Sequence, residues 1–288
     1  IKLPSIKKTI VFDSTFDSWN LNSNYWIDFE FVSVKFDHPI WVLFSSGTTG
    51  KPKAITHGTG GMLLEQYKSH SLHQNIMNGD RFFWNTTTGW MMWNYAIGSF
   101  LCGATLCLYD GSANFPDIGV QWRFAKDAKI NHFGNGSPMF IASMKQNCKD
   151  VSNENLKFIK TIGATGSPLS VEAFKWLQKK LPSTQIISLS GGTDVCSAFI
   201  GGCPKLPVYA GFLQCNMLGA SIKAWDENGK SIKGKTGELV ITEPLPSMPV
   251  FFWGDENFKK YHDSYFAVDQ KVWTHGDWIF IDELRLSL

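Results

Sequence analysis

The sequence predicts an α/β protein: a largely parallel sheet with flanking helices, followed by a β-rich subdomain. Three observations carry that expectation. From residue 40 to residue 189, short apolar runs suited to buried strands alternate with stretches whose apolar residues recur at helical spacing. Beyond residue 201 the helical period fades, and Gly, Pro and period-two alternation dominate through residue 282. No unit of roughly 20 to 50 residues repeats, which excludes solenoids and propellers.

Residues 40–44 (IWVLF) form a continuous apolar run, as expected of a strand buried on both faces, and the run ends in a Ser/Gly/Thr loop. A helix is expected near 61–75, where Met62, Leu63, Gln66, Tyr67 and His70 recur at helical spacing. Residues 81–85 read as a strand, 91–101 as a helix and 104–109 as a strand. The next cycle gives a helix near 119–129, a short strand at 131–133 and a helix over 138–146. A strand at 157–162, a helix over 170–180 with Ser170 as its N-cap, and a strand at 185–189 complete the alternating region. In the β-rich part, strands at 221–225 and 238–242 flank Asn228-Gly229, a tight-turn pair.

Composition narrows the function classes. The 288 residues are 43% hydrophobic and 18% charged, which excludes disorder and collagen. The longest weakly polar run, 96–109, is interrupted by Gly, Ser and Thr and falls short of the roughly 18 to 20 apolar residues a membrane helix needs. No membrane partner is expected. Lysine and arginine total 27 against 25 acidic residues, a net charge of +2, and only Arg81, Arg123 and Arg285 offer the guanidinium that reads guanine and phosphate in two-pronged contacts. That argues against nucleic acid. The six cysteines contain no C-x-x-C pair and read as reduced thiols of a cytosolic protein. Asn85-Thr86-Thr87 and Asn135-Gly136-Ser137 match the glycosylation sequon, but with no secretory signal visible both read as chance.

The segment with the clearest chemistry is SSGTTGKPK, directly after the first apolar run. Gly47 and Gly50 allow close backbone approach, Ser45, Ser46, Thr48 and Thr49 supply hydroxyls, and Lys51 and Lys53 supply positive charge. These properties suit a polyphosphate. The loop is not a Walker A motif, because Pro52 follows Lys51 where Ser or Thr is required and the glycines are too close together. No histidine, cysteine and carboxylate cluster has zinc spacing, and no G-x-S-x-G elbow is present.

Four more motifs follow in order: TTTGWMMW at 86–93, ATGSPL at 164–169, SGGTD at 190–194 and HGD at 275–277. Together with SSGTTGKPK they resemble the signatures of the adenylate-forming, AMP-binding superfamily, which includes acyl-CoA synthetases, luciferases and peptide-synthetase adenylation domains. The wording FFWNTTTGWMMWN, LYDGS, LPSMPVFFW and WTHGDW is most similar to the branch that activates acetoacetate. The resemblance covers residues 37–277 and implies small-molecule substrates, ATP with Mg²⁺, acetoacetate and coenzyme A; a ligase for another short acid such as acetate or butyrate, or a truncated non-catalytic nucleotide-binding product, would share every ATP motif. It implies that Ser45, Ser46, Gly47, Thr48, Thr49, Gly50, Lys51 and Lys53 bind the phosphates. Gly166, Ser167 and Pro168 would lie along adenine. Gly191, Gly192 and Thr193 would lie against the nucleotide, with Thr193 on the α-phosphate, and Thr193 and Lys53 would serve the reacting group. Asp194 would hold Mg²⁺, Asp277 would accept hydrogen bonds from the ribose, and Trp90 would line the acid pocket. One departure stands out: Ser190 occupies a position where many members stack an aromatic ring on adenine.

Several residues carry a second reading. Trp90, Met91, Met92 and Trp93 could be core as readily as pocket. His57 and His275 read as hydrogen-bonded structural histidines rather than proton-transfer groups. Asp194 alone could cap a helix, but after Gly-Gly-Thr it reads as a ligand. The resemblance divides the chain into residues 1–36, a remnant of a preceding subdomain, 37–203, the α/β ATP-binding subdomain, 204–282, the β-rich subdomain, and 283–288, a non-matching tail that includes Arg285. It also implies a fragment: the hinge and the small mobile domain that follow HGD in the superfamily have no counterpart here, and the chain alone is expected to turn over weakly or not at all.

Overall fold

The computed structural model describes residues 30–45 and 52–282, together with the backbone of 286–287. The chain divides into two compact units, 1–34 and 35–288, and all the described helices and strands belong to the second.

The chain begins there with an antiparallel pair, β1 (Pro39–Ser45) and β2 (Lys53–Gly58), followed by α1 (Thr59–Lys68), which runs on through a π-turn at Ser69–His73. The alternating region then unfolds as β3 (Arg81–Trp84), α2 (Met91–Gly98), β4 (Thr105–Leu106), α3 (Val120–Asp127), β5 (His132–Gly136), α4 (Ser137–Lys145), α5 (Asn153–Leu156), β6 (Thr161–Thr165), α6 (Val171–Lys180) and β7 (Gln185–Ser188). Its five strands form one parallel sheet in the order β4-β3-β5-β6-β7. Because β4 lies on one side of β3 and β5 on the other, the winding direction reverses between β3 and β5. In an open parallel sheet such a reversal opens a crevice at the carboxyl ends of the strands.

Local chemistry explains the helices. Ser170 accepts a hydrogen bond from the Ala173 N–H at 3.2 Å, Glu172 sits in the first turn of α6 and Lys179 and Lys180 in the last, all favourable to the helix dipole. The helices bury their apolar faces on the sheet around Trp122, which stacks on Phe133 at 4.6 Å and donates its indole N–H to Ser143 at 3.0 Å. Trp84 needs bare backbone on the neighbouring strands. A Cβ at Gly134 would fall 2.0 Å from its ring and one at Gly163 2.6 Å, so the two glycines let the indole lie across β5 and β6.

The remaining strands are antiparallel. β8 (Ser190–Gly192), β9 (Ser197–Gly201) and β10 (Cys215–Asn216) form one small sheet. β11 (Ile222–Trp225), β12 (Ser231–Ile232), β13 (Thr236–Ile241), β15 (Trp273–Ile281) and β16 (Leu286–Ser287) form a five-stranded sheet. β14 (Phe251–Phe252) joins β2, and α7 (Lys259–Tyr265) packs against β14 and β15. The parallel sheet with flanking helices and the β-rich region are as the sequence predicts.

Four local expectations are corrected. β1 is not buried on both faces: Ile40 is 39% and Phe44 67% exposed, since among the described strands β1 pairs with β2 alone, at the edge of its sheet. Of the strand expected at 104–109 only Thr105–Leu106 pairs. The strand expected at 157–162 begins at Thr161, because Ser152 caps the short helix α5 and the chain leaves that helix at Lys157. The region beyond residue 201 also contains α7, whose seven residues are too few to show a helical period.

Candidate active site

Two adjoining cavities open at the carboxyl edge of the parallel sheet, and they share Thr165, Gly166, Leu189 and Gly191. The first, about 340 Å³, is walled by Trp84, Trp90, Met91, Met92 and Tyr95, and Thr193 reaches its rim. The second, about 390 Å³, is lined by Ser167, Pro168, Ser190, Phe212, Asp277 and Trp278. The first is aromatic and aliphatic. The second mixes backbone, hydroxyls and a carboxylate with two aromatic rings.

Each wall follows from local structure. After β6 the chain turns at Gly166, whose φ of 83° lies in the left-handed region that a side chain disfavours, and this turn carries Ser167 and Pro168 into the second cavity. Asp277 lies in a bulged part of β15, where Glu238 pairs with Trp278 but Val240 pairs with Thr274. Gly276 at φ 90° completes that kink, which turns Asp277 and Trp278 toward the second cavity. Trp90, at the N-cap of α2, is 65% exposed and therefore not core, whereas Met91 and Met92 both line the cavity and pack on the core.

Charge concentrates beside the first cavity. Lys53 Nζ, at the start of β2, lies 2.6 Å from Asp194 Oδ1, with the two side chains 23% and 17% exposed. Tyr265, the last residue of α7, donates its hydroxyl to the same oxygen. Its ring is stacked on Trp273 at 3.5 Å and lies under the Lys53 ammonium at 4.8 Å, so the phenol has little freedom to leave. Burial opposes ionisation of Asp194, but Lys53 and Tyr265 outweigh it and hold the carboxyl below its usual range. Burial, reinforced by the Asp194 charge, pushes the Tyr265 hydroxyl well above its usual range, so it acts as a donor. Asp194 sits in the turn between β8 and β9, so it caps no helix. Its Oδ2 lies beside Gly192, 3.8 Å from where a side chain there would begin.

The two histidines are both largely buried and hydrogen-bonded, and His275 Nε2 also lies 3.5 Å from Asp277 Oδ2. His57 Nε2 donates to the Asp194 backbone carbonyl at 3.0 Å, and burial lowers its pKa to about 4, so it is neutral at physiological pH. Burial likewise lowers His275, whose Nδ1 accepts from the Trp273 indole at 3.3 Å.

The sequence-derived candidates fall as follows. Thr193, Gly191, Gly192, Gly166, Ser167, Pro168, Asp277 and Trp90 line one or both cavities, and Lys53 and Asp194 meet at their edge. Ser45 pairs directly with Lys53 across β1 and β2, and its buried hydroxyl has no hydrogen-bond partner among the described residues. Ser46, Gly47, Thr48, Thr49, Gly50 and Lys51 lie outside the described residues. Sequence reasoning missed Tyr265, which is 71 residues from Asp194 in the chain and belongs to no motif. It also passed over Tyr95 and Phe212, which only the fold brings to the cavities.

Residues 2–249, which carry most of the lining of the two cavities and the Lys53–Asp194 pair, match the AMP-binding enzyme family. The chain belongs to that family. The family match ends before Tyr265 and Asp277. Among curated relatives, acetoacetyl-CoA synthetase of Mus musculus is 41% identical over 254 residues, which is 88% of this chain and 38% of that protein. Acetoacetyl-coenzyme A synthetase of Rhizobium meliloti (strain 1021) is 42% identical over 248 residues, 86% of this chain and 38% of that protein. Among solved structures, acetoacetyl-CoA synthetase from Streptomyces lividans superposes with a TM-score of 0.84 at 46% identity, covering 88% of this chain and 40% of that one. This family member thus spans about two fifths of the length of the relatives it matches. Among its described residues no helix is long and apolar enough to cross a membrane.

Proposed function

We propose that this chain carries the adenylating site of an acetoacetate–coenzyme A ligase. In the first half-reaction an acetoacetate carboxylate oxygen attacks the α-phosphorus of ATP and pyrophosphate leaves. In the second the coenzyme A thiol attacks the mixed anhydride, giving acetoacetyl-CoA and AMP. The observation that supports this most is the meeting of an apolar cavity and a polar cavity at Thr165, Gly166 and Gly191. An acid in the first and a nucleotide in the second would bring carboxylate and α-phosphate together at that junction.

The main barrier is electrostatic, since two anions must approach, and oriented positive charge and donors lower it without a nucleophilic side chain. In this reading Lys53, Ser45 and the residues between them hold the phosphates, and Thr193 donates to the α-phosphate beside the junction. Gly166, Ser167 and Pro168 lie along the base, with Gly191 and Gly192 against the nucleotide, and Asp277 accepts from the ribose hydroxyls. Phe212 and Trp278 supply the aromatic surface that Ser190 lacks, Trp278 being 67% exposed at the rim of the second cavity. Trp90 covers the acid.

Asp194 fits Mg²⁺ and no ion that needs a full protein cage. One of its oxygens already accepts from Lys53 and Tyr265, leaving the other, and among the described residues no three histidine, cysteine or carboxylate side chains could hold a metal together. Mg²⁺ commonly keeps water and phosphate oxygens in most of its shell, so one carboxylate oxygen suffices. Bound there, it would neutralise phosphate charge. The six cysteines are all free thiols, which supports a cytosolic setting.

Acid-dependent ATP/pyrophosphate exchange tests the reading, with acetoacetate, acetate and butyrate on this chain and the Mus musculus relative as a positive control. From the chain alone weak exchange at most is expected, greater with acetoacetate than with the other acids. Exchange with acetate or butyrate but not acetoacetate would replace the acid. Failure of the chain to bind ATP by calorimetry would remove the adenylating role.

A further inference from the structure

The acid cavity holds a polar group that the reaction above does not use. Asn85 follows β3, Asn135 lies in β5 and Gln121 in α3, and their amides close a ring. Asn85 Nδ2 donates to Asn135 Oδ1 at 3.2 Å, Asn135 Nδ2 to Gln121 Oε1 at 2.8 Å, and Gln121 Nε2 to Asn85 Oδ1 at 2.9 Å. The backbone sets the direction of the ring. The Gly136 N–H donates to Asn135 Oδ1 at 2.9 Å, so an oxygen must stand there, and turning any single amide over would set like against like at two contacts. Each amide therefore spends its oxygen and one N–H, and each keeps one N–H over among the described residues.

Only one of the three can use that N–H on a ligand. Gln121 is 0% and Asn135 3% exposed, whereas Asn85 is partly buried and lines the first cavity next to Trp84. The two asparagines that match glycosylation sequons thus hold each other inside the molecule. Their place in the fold is also telling. Asn85 directly follows β3 and Asn135 belongs to β5, the two strands between which the sheet reverses its winding, and ligands of open parallel sheets bind at such a reversal.

We propose that Asn85 donates its remaining N–H to a carbonyl oxygen of the ligand in this cavity and so selects for it. The proposal rests on the acid–thiol ligase reading above, which offers two sources of such an oxygen: the 3-oxo group of acetoacetate and an amide carbonyl of the pantetheine arm of coenzyme A. Butyrate, of the same chain length, carries a methylene in place of the 3-oxo group. It would leave the donor unpaired, and a site built to hydrogen-bond a substrate group discriminates against analogues that lack it.

Calorimetry with two stable acyl-adenylate mimics, adenosine 5′-sulfamates carrying an acetoacetyl or a butyryl tail, tests this without turnover. If Asn85 reads the acid, the unaltered chain prefers the acetoacetyl mimic by about five- to tenfold, the value of one neutral hydrogen bond, and Asn85→Leu and Asn85→Ala lose that preference while keeping the butyryl affinity. If it reads the thiol arm, the two mimics bind alike and the same substitutions weaken coenzyme A binding to the mimic-bound chain by a similar factor. Unchanged binding of both mimics and coenzyme A in the variants would overturn the proposal. So would an equal loss for all three, which is what mere collapse of the amide ring predicts. Binding of neither mimic by the unaltered chain would reject the ligase reading and this proposal with it, whereas normal mimic binding with no effect of Asn85 rejects the proposal alone.

Discussion

Asp194 is held by two partners of different kinds, and substitution separates them. Lys53 contributes charge and Tyr265 a neutral donor, both to Oδ1. Tyr265→Phe removes only the hydroxyl and keeps the ring stacked on Trp273. A hydrogen bond to a charged group contributes about 1.5 to 3 kcal/mol, so the variant is expected to unfold at lower denaturant by roughly that amount and to bind ATP with Mg²⁺ about tenfold more weakly. Lys53→Met leaves a largely buried carboxylate without its counter-charge and is expected to cost more, about 3 kcal/mol near neutral pH. Because Asp194 has its folded pKa depressed, this stabilisation is present above the ordinary carboxylate range and is lost as pH falls through the lowered value. Urea titrations at pH 7 and pH 3 check both: the gap between Lys53→Met and the unaltered chain should narrow at the lower pH. Motif reading found Lys53 and Asp194 because each sits in a short signature. It could not find Tyr265, which reaches Asp194 only through the packing of α7 on β14 and β15.

At the scale of elements, the parallel strands were legible from their alternation with helical patterns, whereas β8, which lines the cavities as SGG, carries no apolar run. β3, β5, β6 and β7 were visible for that reason, with errors at their ends where capping and turn geometry decide. β2 escaped notice: KAITHG contains Lys, Thr, His and Gly, and it is held as a strand by β1 on one side and β14 on the other rather than by its own pattern. The two cavities could not be read from the chain at all, since their shared wall joins the end of β6 to the β7–β8 junction. The closeness of β5 and β6 to the Trp84 indole yields a prediction at this scale. Gly134→Ala puts a methyl 2.0 Å from the ring as it now lies, so either the indole or the strand must move. A loss of about 1 to 3 kcal/mol is expected from overpacking, together with weaker ligand binding in the cavity that Trp84 walls. The double variant Gly134→Ala/Trp84→Leu should recover part of the stability in thermal melts, and failure to do so would place the strain elsewhere.

For the whole molecule, the near-balance of charge conceals a strong asymmetry in where protons can bind. His57 and His70 are both buried, and burial lowers each to about 4 from an ordinary 6.5. His57 donates to a backbone carbonyl through Nε2, and His70 engages the Gln66 carbonyl through Nδ1 while its ring lies 4.3 Å from that of Tyr95. Among the described residues neither has a carboxylate in direct contact to offset protonation. In the unfolded chain both would accept a proton near pH 6.5, so below that pH the unfolded state binds more protons and folding weakens. The contribution of these groups is therefore complete above about 6.5, declines as pH falls toward 4 and changes little below it. A shift of this size corresponds to about 3 kcal/mol for each histidine, enough to make acid sensitivity a property of the fold rather than of its active site. Urea unfolding across pH 4 to 7 should show this slope in the unaltered chain and a shallower one in His70→Gln, which cannot titrate. Equal slopes would mean that His70 finds a way to be protonated inside the folded core, and that burial does not keep it neutral.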